Sequence, residues 1–424
     1  MKLIESKNIE EIIEACARPS ISNEQIKPII EEVFKEIANK GDEAVLKYTH
    51  FFDKVDLNQL EMERSVVEEL AAQTSVELQE AIKVAAKNIE RFHASQQINS
   101  TKIETAPGVF CWQESRGIER VGIYIPGGTA PLFSTVLMLA IPAKIAGCKE
   151  IILCTPPDKN GNINPAIAFA ASITGVNRVF RVGGAQAIAA MTYGTESVPK
   201  VYKIFGPGNQ FVTAAKVKAQ EYGVAIDMPA GPSELMVVAD DSCVPAFVAA
   251  DLLSQAEHGT DSQVICVLNN AELYEPILTE VKAQLADLPR KDIAEKALEN
   301  SRFIITEDRL STIEIINEYA PEHLIICTEY NNELIMNIEN AGSVFVGNYT
   351  PESAGDYASG TNHTLPTAGF AKAYSGVNLD AFTKKITFQE ISKNGIQELG
   401  PTIEKMAEAE LLQAHKNAVT LRLK

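Results

Sequence analysis

Residues 121–128 read VGIYIPGG, a short apolar run that ends in Pro-Gly-Gly. Three further runs of this kind follow, EIILCTP at 150–156, NRVFRVGG at 177–184 and KVYKIFGPG at 200–208. Segments with apolar residues at helical spacing lie between and after them, at 135–147, 164–175, 185–194 and 209–223. Strands that alternate with helices in this rhythm indicate βαβ units and a parallel sheet.

Glycine turns close several of these predicted strands. Because ligands bind beyond the carboxyl ends of parallel strands, we expect Gly127-Gly128, Gly183-Gly184 and Gly206-Pro207-Gly208 to form the floor of a site. No GxGxxG fingerprint is present, and GPGNQF at 206–211 has two of its glycines but lacks the third. This segment fits a dinucleotide site and a plain tight turn equally well.

A second alternating block, from about Leu235 to Asn348, predicts a second parallel α/β unit. The expected fold class is therefore α/β, with two Rossmann-like but incomplete parallel-sheet domains and smaller helical segments at both termini. Residues 349–380 predict a loop, and 401–423 predict an amphipathic helix. The expected division is an N-terminal helical segment at 1–22, an α/β domain of 23–120 with 236–376, a Rossmann-like domain at 121–235 and a C-terminal helical segment at 377–424.

Composition narrows the class of protein. The 424 residues contain 38 Lys and Arg against 56 Asp and Glu, a formal charge of 38 − 56 = −18, which argues against nucleic acid or an anionic membrane as partner. The most apolar stretch, 121–147, is interrupted by prolines and is a poor transmembrane candidate. Seven scattered cysteines without a CxxC pair, and an N-terminus without a long apolar run, favour the reducing cytoplasm.

Histidine, a common catalytic residue and metal ligand, occurs only six times in the sequence. Four of these histidines have a carboxylate or amide residue nearby. These pairs are Gln255 with His258, Glu322 with His323, Asp356 with His363, and Glu410 with His415. The spacing of the first pair places both side chains on one face of a predicted helix. The other two histidines, His50 and His93, are interpreted as structural, and Cys327 is expected to be buried in a strand.

Spacing alone leaves the role of these pairs open. A set of Gln, His, Asp and His offers nitrogen and oxygen ligands that suit zinc without singling it out. Each residue also fits a structural role: His258 as a helix cap, Asp356 as a turn residue, Glu322-His323 as a helix terminus and His415 as a solvated helical residue.

Nine stretches follow one another from about residue 120 to the end of the sequence: VGIYIPGGTAPLFSTVLMLAIPAKIAGC, VGGAQAIAA, KIFGPGNQFVTAAK, DMPAGPSE, DLLSQAEHG, YAPEHL, NAGSVFVG, PESAGDYASGTNHTLPT and EAELLQAHK. In this order they resemble histidinol dehydrogenases. The resemblance implies a cytoplasmic, zinc-dependent homodimer with one zinc per subunit. It also implies a four-electron oxidation of L-histidinol to L-histidine through the aldehyde, with two NAD reduced, as the last step of histidine biosynthesis.

The resemblance also implies roles for particular residues. Glu322 and His323 would be the catalytic base pair. The zinc ligands would be Gln255, His258, Asp356 and His415, the last from the partner subunit, because the C-terminal segment is exchanged across the dimer. NAD would contact Tyr124, Gln186 and Asn209 in the domain at 121–235. The substrate would contact Ser233, Gln255, His258, His323, Asp356, His363, Glu410 and His415.

Three other functions fit parts of the pattern. A related enzyme acting on another alcohol predicts changes at His363, Glu410 or His415, and a non-catalytic zinc-binding or ligand-sensing protein predicts loss of Glu322 or His323. All five residues are present. A metallohydrolase would fit the ligand set but would not need the additional glycine turns.

Overall fold

The computed structural model describes residues 1–6, 8–19, 26–98, 100–127, 130–229, 231–306 and 308–424. Its strands are β1 (Lys2–Ile4), β2 (Glu61–Met62), β3 (Ile103–Ala106), β4 (Val109–Gly117), β5 (Arg120–Tyr124), β6 (Glu150–Thr155), β7 (Arg178–Arg181), β8 (Lys203–Phe205), β9 (Ala225–Ile226), β10 (Glu234–Ala239), β11 (Gln263–Leu268), β12 (Arg302–Ile305), β13 (His323–Cys327), β14 (Ser343–Val346) and β15 (Thr383–Ile391).

The helices alternate with these strands through most of the chain. They are α1 (Ile9–Ala15), α2 (Lys27–Lys40), α3 (Asp42–Asp53), α4 (Arg64–Ala71), α5 (Val76–Ala94), α6 (Phe133–Ile145), α7 (Pro165–Thr174), α8 (Gly184–Tyr193), α9 (Gln210–Gln220), α10 (Pro245–Ala256), α11 (Tyr274–Ala286), α12 (Lys291–Glu299), α13 (Arg309–Tyr319), α14 (Asn331–Asn337), α15 (Glu352–Tyr357), α16 (Lys393–Ala409) and α17 (Gln413–Leu423).

Two six-stranded sheets organise the described chain. The first sheet has the order β2-β7-β6-β5-β8-β9 and the second sheet the order β1-β12-β11-β10-β13-β14. All neighbours are parallel except β2 and β7, which pair antiparallel. The expected α/β class with two parallel-sheet units is confirmed.

Helices cover both faces of each sheet. Cores of apolar side chains form between the first sheet and α4–α7 on one face, and α2, α3, α8 and α9 on the other. The second sheet packs against α10–α12 and against α1, α13 and α14. Strands covered on both faces need apolar residues at every position, and β10 (ELMVVA) and β11 (QVICVL) are buried throughout.

The contacts divide the chain differently from the expected domain boundaries. Helices α2–α5 lie on the first sheet, so residues 26–94 pack mainly with the unit at 121–235, although Asn88 on α5 also donates to the Ala358 carbonyl oxygen at 2.9 Å. The segment at 1–22 is not only helical, because β1 forms the edge of the second sheet beside β12. An amphipathic pattern shows that a helix has a buried face, but it does not identify the sheet that buries that face.

The C-terminal segment also differs from the prediction. Strand β15 pairs antiparallel with β4 from Thr383↔Gly117 to Ile391↔Val109 and, with β3, forms a small sheet. The single helix predicted at 401–423 is two helices, α16 and α17, which pack on each other. Pro401 lies inside α16, and the chain reverses near Leu411, whose φ is 60°.

A short helix, α15, occupies part of the predicted loop at 349–380. Gly355 allows it to lie against β14, since a Cβ at this position would come within 2.7 Å of the Phe345 ring. This contact orients the face of α15 that carries two acidic side chains. Among the described residues, no helix has the length and apolar character needed to cross a bilayer.

Candidate active site

The predicted base pair lies at the start of β13, against the first residue of β10. Glu322 accepts a hydrogen bond from the backbone N–H of Glu234 at 2.8 Å, and His323 Nδ1 lies 3.2 Å from the Glu234 carbonyl oxygen. Both side chains are buried. The pairing of β10 with β13 therefore holds an acid and an imidazole side by side in the interior.

Helix α15 adds two carboxylates to this pair. Glu352 and Asp356 are four residues apart and so share one face of the helix. Glu352 Oε1 lies 3.7 Å from His323 Nδ1, and Asp356 Oδ1 lies 3.6 Å from His323 Nε2. Ligand atoms of these three residues all lie within 4.8 Å of one another, a spacing that could hold a metal ion. We call Glu322, His323, Glu352 and Asp356 the buried cluster.

Sequence reasoning missed Glu352. The signal was present in ESAGD at 352–356, because two carboxylates at i and i+4 align when a segment is helical. Predicting a loop there hid that alignment.

Charge repulsion and burial shift the pKa values of the buried cluster. Burial lowers the pKa of His323, but the carboxylates of Glu352 and Glu322 raise it, and the net pKa lies well above the ordinary value. Burial raises the pKa of Glu352 to about 8 although His323 opposes that shift. Burial also acts to raise the pKa of Asp356, but the nearby His323 imidazole holds that pKa below the usual range. A site with this excess of carboxylates is suited to a cation.

One nitrogen of His323 is free to react. Its Nε2 is buried and has no hydrogen-bond partner among the described residues. Buried polar atoms are rarely left unpaired, so this atom marks a position for a ligand, a water or a metal ion.

Two of the predicted zinc ligands occupy different surroundings near α10. The Gln255 amide is fully buried, and in the orientation that satisfies its neighbours it accepts from the Glu234 N–H at 2.9 Å and donates to Glu352. Helix α10 ends at Ala256, so His258 lies in the following turn and is exposed, and the predicted shared helical face does not form. His258 still lies close enough to Asp356 for its charge to lower the pKa of that carboxyl.

His363 connects the buried cluster to the first sheet. Its Nδ1 lies 2.9 Å from the Asp356 carbonyl oxygen, and its Nε2 lies 3.0 Å from the Thr135 hydroxyl on α6. Burial lowers the pKa of His363. The neutral imidazole is therefore the favoured form at this position.

Two adjoining cavities lie at the carboxyl ends of the strands of the first sheet, and the second unit reaches one of them with residues that precede β10 and β11. One, of about 860 Å³, is lined by all three residues predicted to contact NAD, Tyr124, Gln186 and Asn209. The other, of about 920 Å³, is lined by Tyr124 and Asn209 and by Ser233 and His258 from the second unit. A third cavity, of about 560 Å³ beside β2 and β7, contains none of the predicted site residues.

Glycine turns shape the first of these cavities, as predicted. Gly127 and Gly184 line it, and the Gly184 N–H donates to the Tyr124 hydroxyl at 3.0 Å. Gly206 has φ +127°, and a Cβ there would collide with the Tyr124 carbonyl oxygen. Gly128 lies outside the described residues.

The remaining predicted site residues lie on the C-terminal helices. Glu410 follows α16 and His415 lies on α17, and both are exposed. The main contacts of α17 are with α16.

The residues interpreted as structural occupy other environments. His50 pairs with Asp56 on the surface, and His93 is buried with its Nδ1 3.1 Å from Gln96. Cys327 is buried, as predicted, and burial raises its pKa to about 12. Such a thiol is a poor nucleophile.

An α/β fold with two mainly parallel sheets, a cavity lined by residues of both units, and a buried imidazole with an unpaired nitrogen among the described residues are the features of an enzyme. Comparison with known proteins assigns it to the oxidoreductases. The family model "Histidinol dehydrogenase" matches residues 16–423, and the chain belongs to this family.

Individual relatives are similar over nearly their whole length. Histidinol dehydrogenase of Bacteroides thetaiotaomicron is 59% identical over 423 residues, covering 100% of this chain and 99% of the relative. That of Escherichia coli K12 is 52% identical over 409 residues, covering 96% and 93%. The crystal structure of histidinol dehydrogenase from Elizabethkingia anophelis superposes with a TM-score of 0.98 at 55% identity, covering 100% of this chain and 98% of that chain.

Proposed function

We propose that this protein is a zinc-dependent, NAD-linked histidinol dehydrogenase. It oxidises L-histidinol to L-histidine through L-histidinaldehyde, with two NAD reduced, in the last step of histidine biosynthesis. The observation that carries the proposal is the buried Nε2 of His323, which has no hydrogen-bond partner among the described residues, in a molecule where both units line one cavity. Family membership supports the choice of substrate.

The donors of the buried cluster and its surroundings fit zinc. Gln255, His258 and Asp356 would hold it, together with His415 of the partner subunit, and none of these ligands is a thiolate. The excess of carboxylates around His323 supports a cation here. When bound, zinc would fix the imidazole and amine of histidinol and offset the negative charge that raises the pKa of His323.

His323 acts as the general base in this proposal. Its neutral Nε2 accepts the hydroxyl proton of histidinol as hydride leaves the adjacent carbon, while its Nδ1–H points to the Glu234 carbonyl. Glu322 removes a proton from the water that hydrates the aldehyde. Protonated His323 gives its proton to the aldehyde oxygen during this hydration, and the neutral imidazole then accepts a second proton as the hydrate loses the second hydride.

The polar ends of the substrate are bound by residues of both sheets and by the C-terminal segment. Ser233 lines the shared cavity, and His363 is held by Asp356 and Thr135. Glu410 pairs with the ammonium or the imidazole of the substrate. A net charge of −18 favours the approach of a small cation.

Tyr124, Gln186 and Asn209 line the cavity that would hold NAD, which would supply the hydride acceptor when bound. The glycines at 127, 184 and 206 allow the backbone to approach it closely.

The enzyme is a cytoplasmic homodimer with shared active sites in this proposal. The support is the position of the C-terminal helices, since Glu410 and His415 are exposed and α17 packs mainly on α16. Exchange of this segment between subunits would bring both residues to the partner's site.

The test is NADH formation from L-histidinol before chelation, after chelation and after return of zinc, with the product counted. Two NADH per histidinol, lost on chelation and restored by zinc, is the expected result. One NADH per histidinol would contradict the role of Glu322. No NADH from folded, zinc-loaded protein would favour an enzyme for another alcohol.

A further inference from the structure

The Arg18 guanidinium forms hydrogen bonds with the buried carboxylate of Glu234, which lies 216 residues later in the sequence. Its Nε donates to Glu234 Oε1 at 2.6 Å and its Nη2 to Glu234 Oε2 at 2.9 Å. Nη2 also donates to the Tyr319 carbonyl oxygen at 2.6 Å, and the guanidinium lies 3.9 Å above the Tyr319 ring. The guanidinium is thus fixed on two edges and one face.

The Glu234 carboxylate has one further partner. Its Oε1 accepts from the Ala368 N–H at 2.7 Å, and the residue is 2% exposed. Bidentate charge-assisted hydrogen bonds to arginine are stronger and more directional than neutral ones. The side chain of Glu234 therefore has little freedom to rotate.

The backbone of the same residue binds both members of the proposed base pair. The Glu234 N–H donates to Glu322 and its carbonyl oxygen faces His323 Nδ1. The N–H also faces the Gln255 amide. The backbone of Glu234, which is held in place through its own side chain, thus sets the positions of the Glu322 carboxylate and the His323 imidazole.

We propose that Arg18 and Glu234 form a positioning pair that aligns Glu322 and His323 for proton transfer. The inference rests on the proposed function, because it assigns no chemistry of its own to either residue. Arg18 follows α1, so the N-terminal segment takes part in catalysis without touching the substrate.

The chain contains a matched control. Arg178 donates to Glu61 Oε1 at 2.7 Å and Oε2 at 2.6 Å, and also to the Ser197 carbonyl oxygen at 2.9 Å. This second pair has the same bidentate geometry and the same additional carbonyl contact. It lies at the β2 edge of the first sheet, away from the buried cluster.

The experiment compares Arg18→Met with Arg178→Met in the zinc-loaded enzyme. Because a misplacement of about 1 Å can slow catalysis about a hundredfold, we expect Arg18→Met to lower kcat by about tenfold to a hundredfold. The KM for NAD should stay within about twofold, and Arg178→Met should leave kcat within about twofold, as substitutions far from a site usually do. Equal losses of kcat in the two variants would overturn the proposal.

Arg18→Met leaves Glu234 buried without its cation, which could unfold the protein. The double variant Arg18→Met with Glu234→Gln removes that charge. We expect it to recover the thermal stability of the wild type while kcat stays low. Recovery of wild-type kcat in the double variant would show that the pair serves stability alone.

The pH profile of kcat/KM distinguishes a positioning role of Arg18 from a general loss of protein stability. Loss of the aligned Glu234 carbonyl removes an acceptor that stabilises protonated His323, so the acidic limb of kcat/KM should move to lower pH. Arg18→Lys, which keeps the charge but not the planar fork, should give an intermediate kcat. An unshifted profile would contradict the proposal. Failure of the wild type to oxidise histidinol would instead refute the proposed function.

Discussion

The two nitrogens of His323 are in unequal surroundings. Nδ1 faces Glu322, Glu352 and the Glu234 carbonyl, whereas Nε2 lies 3.6 Å from Asp356 Oδ1 and has no hydrogen-bond partner in the described part of the chain. An imidazole held at one nitrogen and free at the other is oriented for directional proton transfer.

Replacing His323 with Asn tests that role. Because general base catalysis contributes about a hundredfold to ten-thousandfold, we expect His323→Asn to lose histidinol oxidation by a factor in that range and to keep its zinc. Turnover and metal content are measured on the same sample. His50→Asn, at an exposed histidine, is the control. A large loss of zinc from His323→Asn would make His323 a metal ligand instead.

The carboxyl group of Asp53 is expected to make the stability of the protein depend on pH. It lines the cavity proposed for NAD, and its Oδ2 has no hydrogen-bond partner among the described residues. Burial raises its pKa from 3.8 to about 6. Because folding raises the pKa of Asp53, the free energy of unfolding is highest, as far as this group is concerned, below its unfolded-state pKa. That stability is lost as the pH rises through the folded-state pKa.

Asp53→Asn should therefore stabilise the protein at pH 8 and have little effect at pH 4. After allowance for solvent screening, we expect a gain of about 1 kcal/mol in the free energy of unfolding. Urea unfolding at the two pH values measures the difference. An equal effect at both would mean that packing, and not ionisation, is responsible.

At the scale of elements, the turn between β8 and α9 is tightly constrained. Lys216 donates to the Gly206 carbonyl oxygen at 2.9 Å, and Asp227 accepts from the Gly206 N–H at 2.8 Å. Lys216 and Asp227 are themselves a buried ion pair. Asn209 then caps α9 by accepting from the N–H groups of Phe211 and Val212.

Comparing Gly206→Ala with Gly223→Ala distinguishes the effect of backbone strain from the effect of a steric clash with the added Cβ. Both glycines have positive φ, so both substitutions cost about 1 kcal/mol or more of stability. Only at Gly206 does the added Cβ meet another group, the Tyr124 carbonyl, whereas nothing lies within 4 Å at Gly223. We expect Gly206→Ala alone to raise the KM for NAD, by about tenfold or more. An unchanged KM would place NAD elsewhere.

Local sequence patterns predicted the elements that contain long apolar periodicities. The strands and helices of 120–226 follow from alternating runs and glycine stops, and the resemblance identified Glu322 and His323. Helix α15 was missed because Gly, Ser and Asp in ESAGD favour turns, while its helical form depends on packing against Phe345. The pairing of Arg18 with Glu234 joins residues 216 apart, and no local pattern encodes it.

At the scale of the whole molecule, the C-terminal segment exposes apolar side chains. Leu411 is 89% exposed, Met406 62% and Leu421 59%. Exposed apolar residues grouped on one segment are typical of a surface covered by a partner, as the proposed dimer requires.

Hybrid dimers test whether the active sites are shared. Co-expressed His323→Asn and His415→Ala subunits each lack one function. If His415 acts in the partner's site, mixed dimers contain one intact site of two, and random pairing should restore about a quarter of wild-type activity. Activity is measured on the purified mixture and on each variant alone. No recovery would place His415 in its own subunit's site.

The position of β1 has a consequence for the order in which the molecule is made. Its pairing partner β12 begins at Arg302, so β1 leaves the ribosome about 300 residues before the strand it needs. At about 5–20 residues per second, that delay is about 15–60 s. The hydrogen bonds that hold Arg18 and Glu234 cannot all form until Tyr319 and Ala368 have also been synthesised. A nascent chain therefore lacks this complete set of contacts until Ala368 has been made, and β1 can pair only after the later strand β12 has been synthesised.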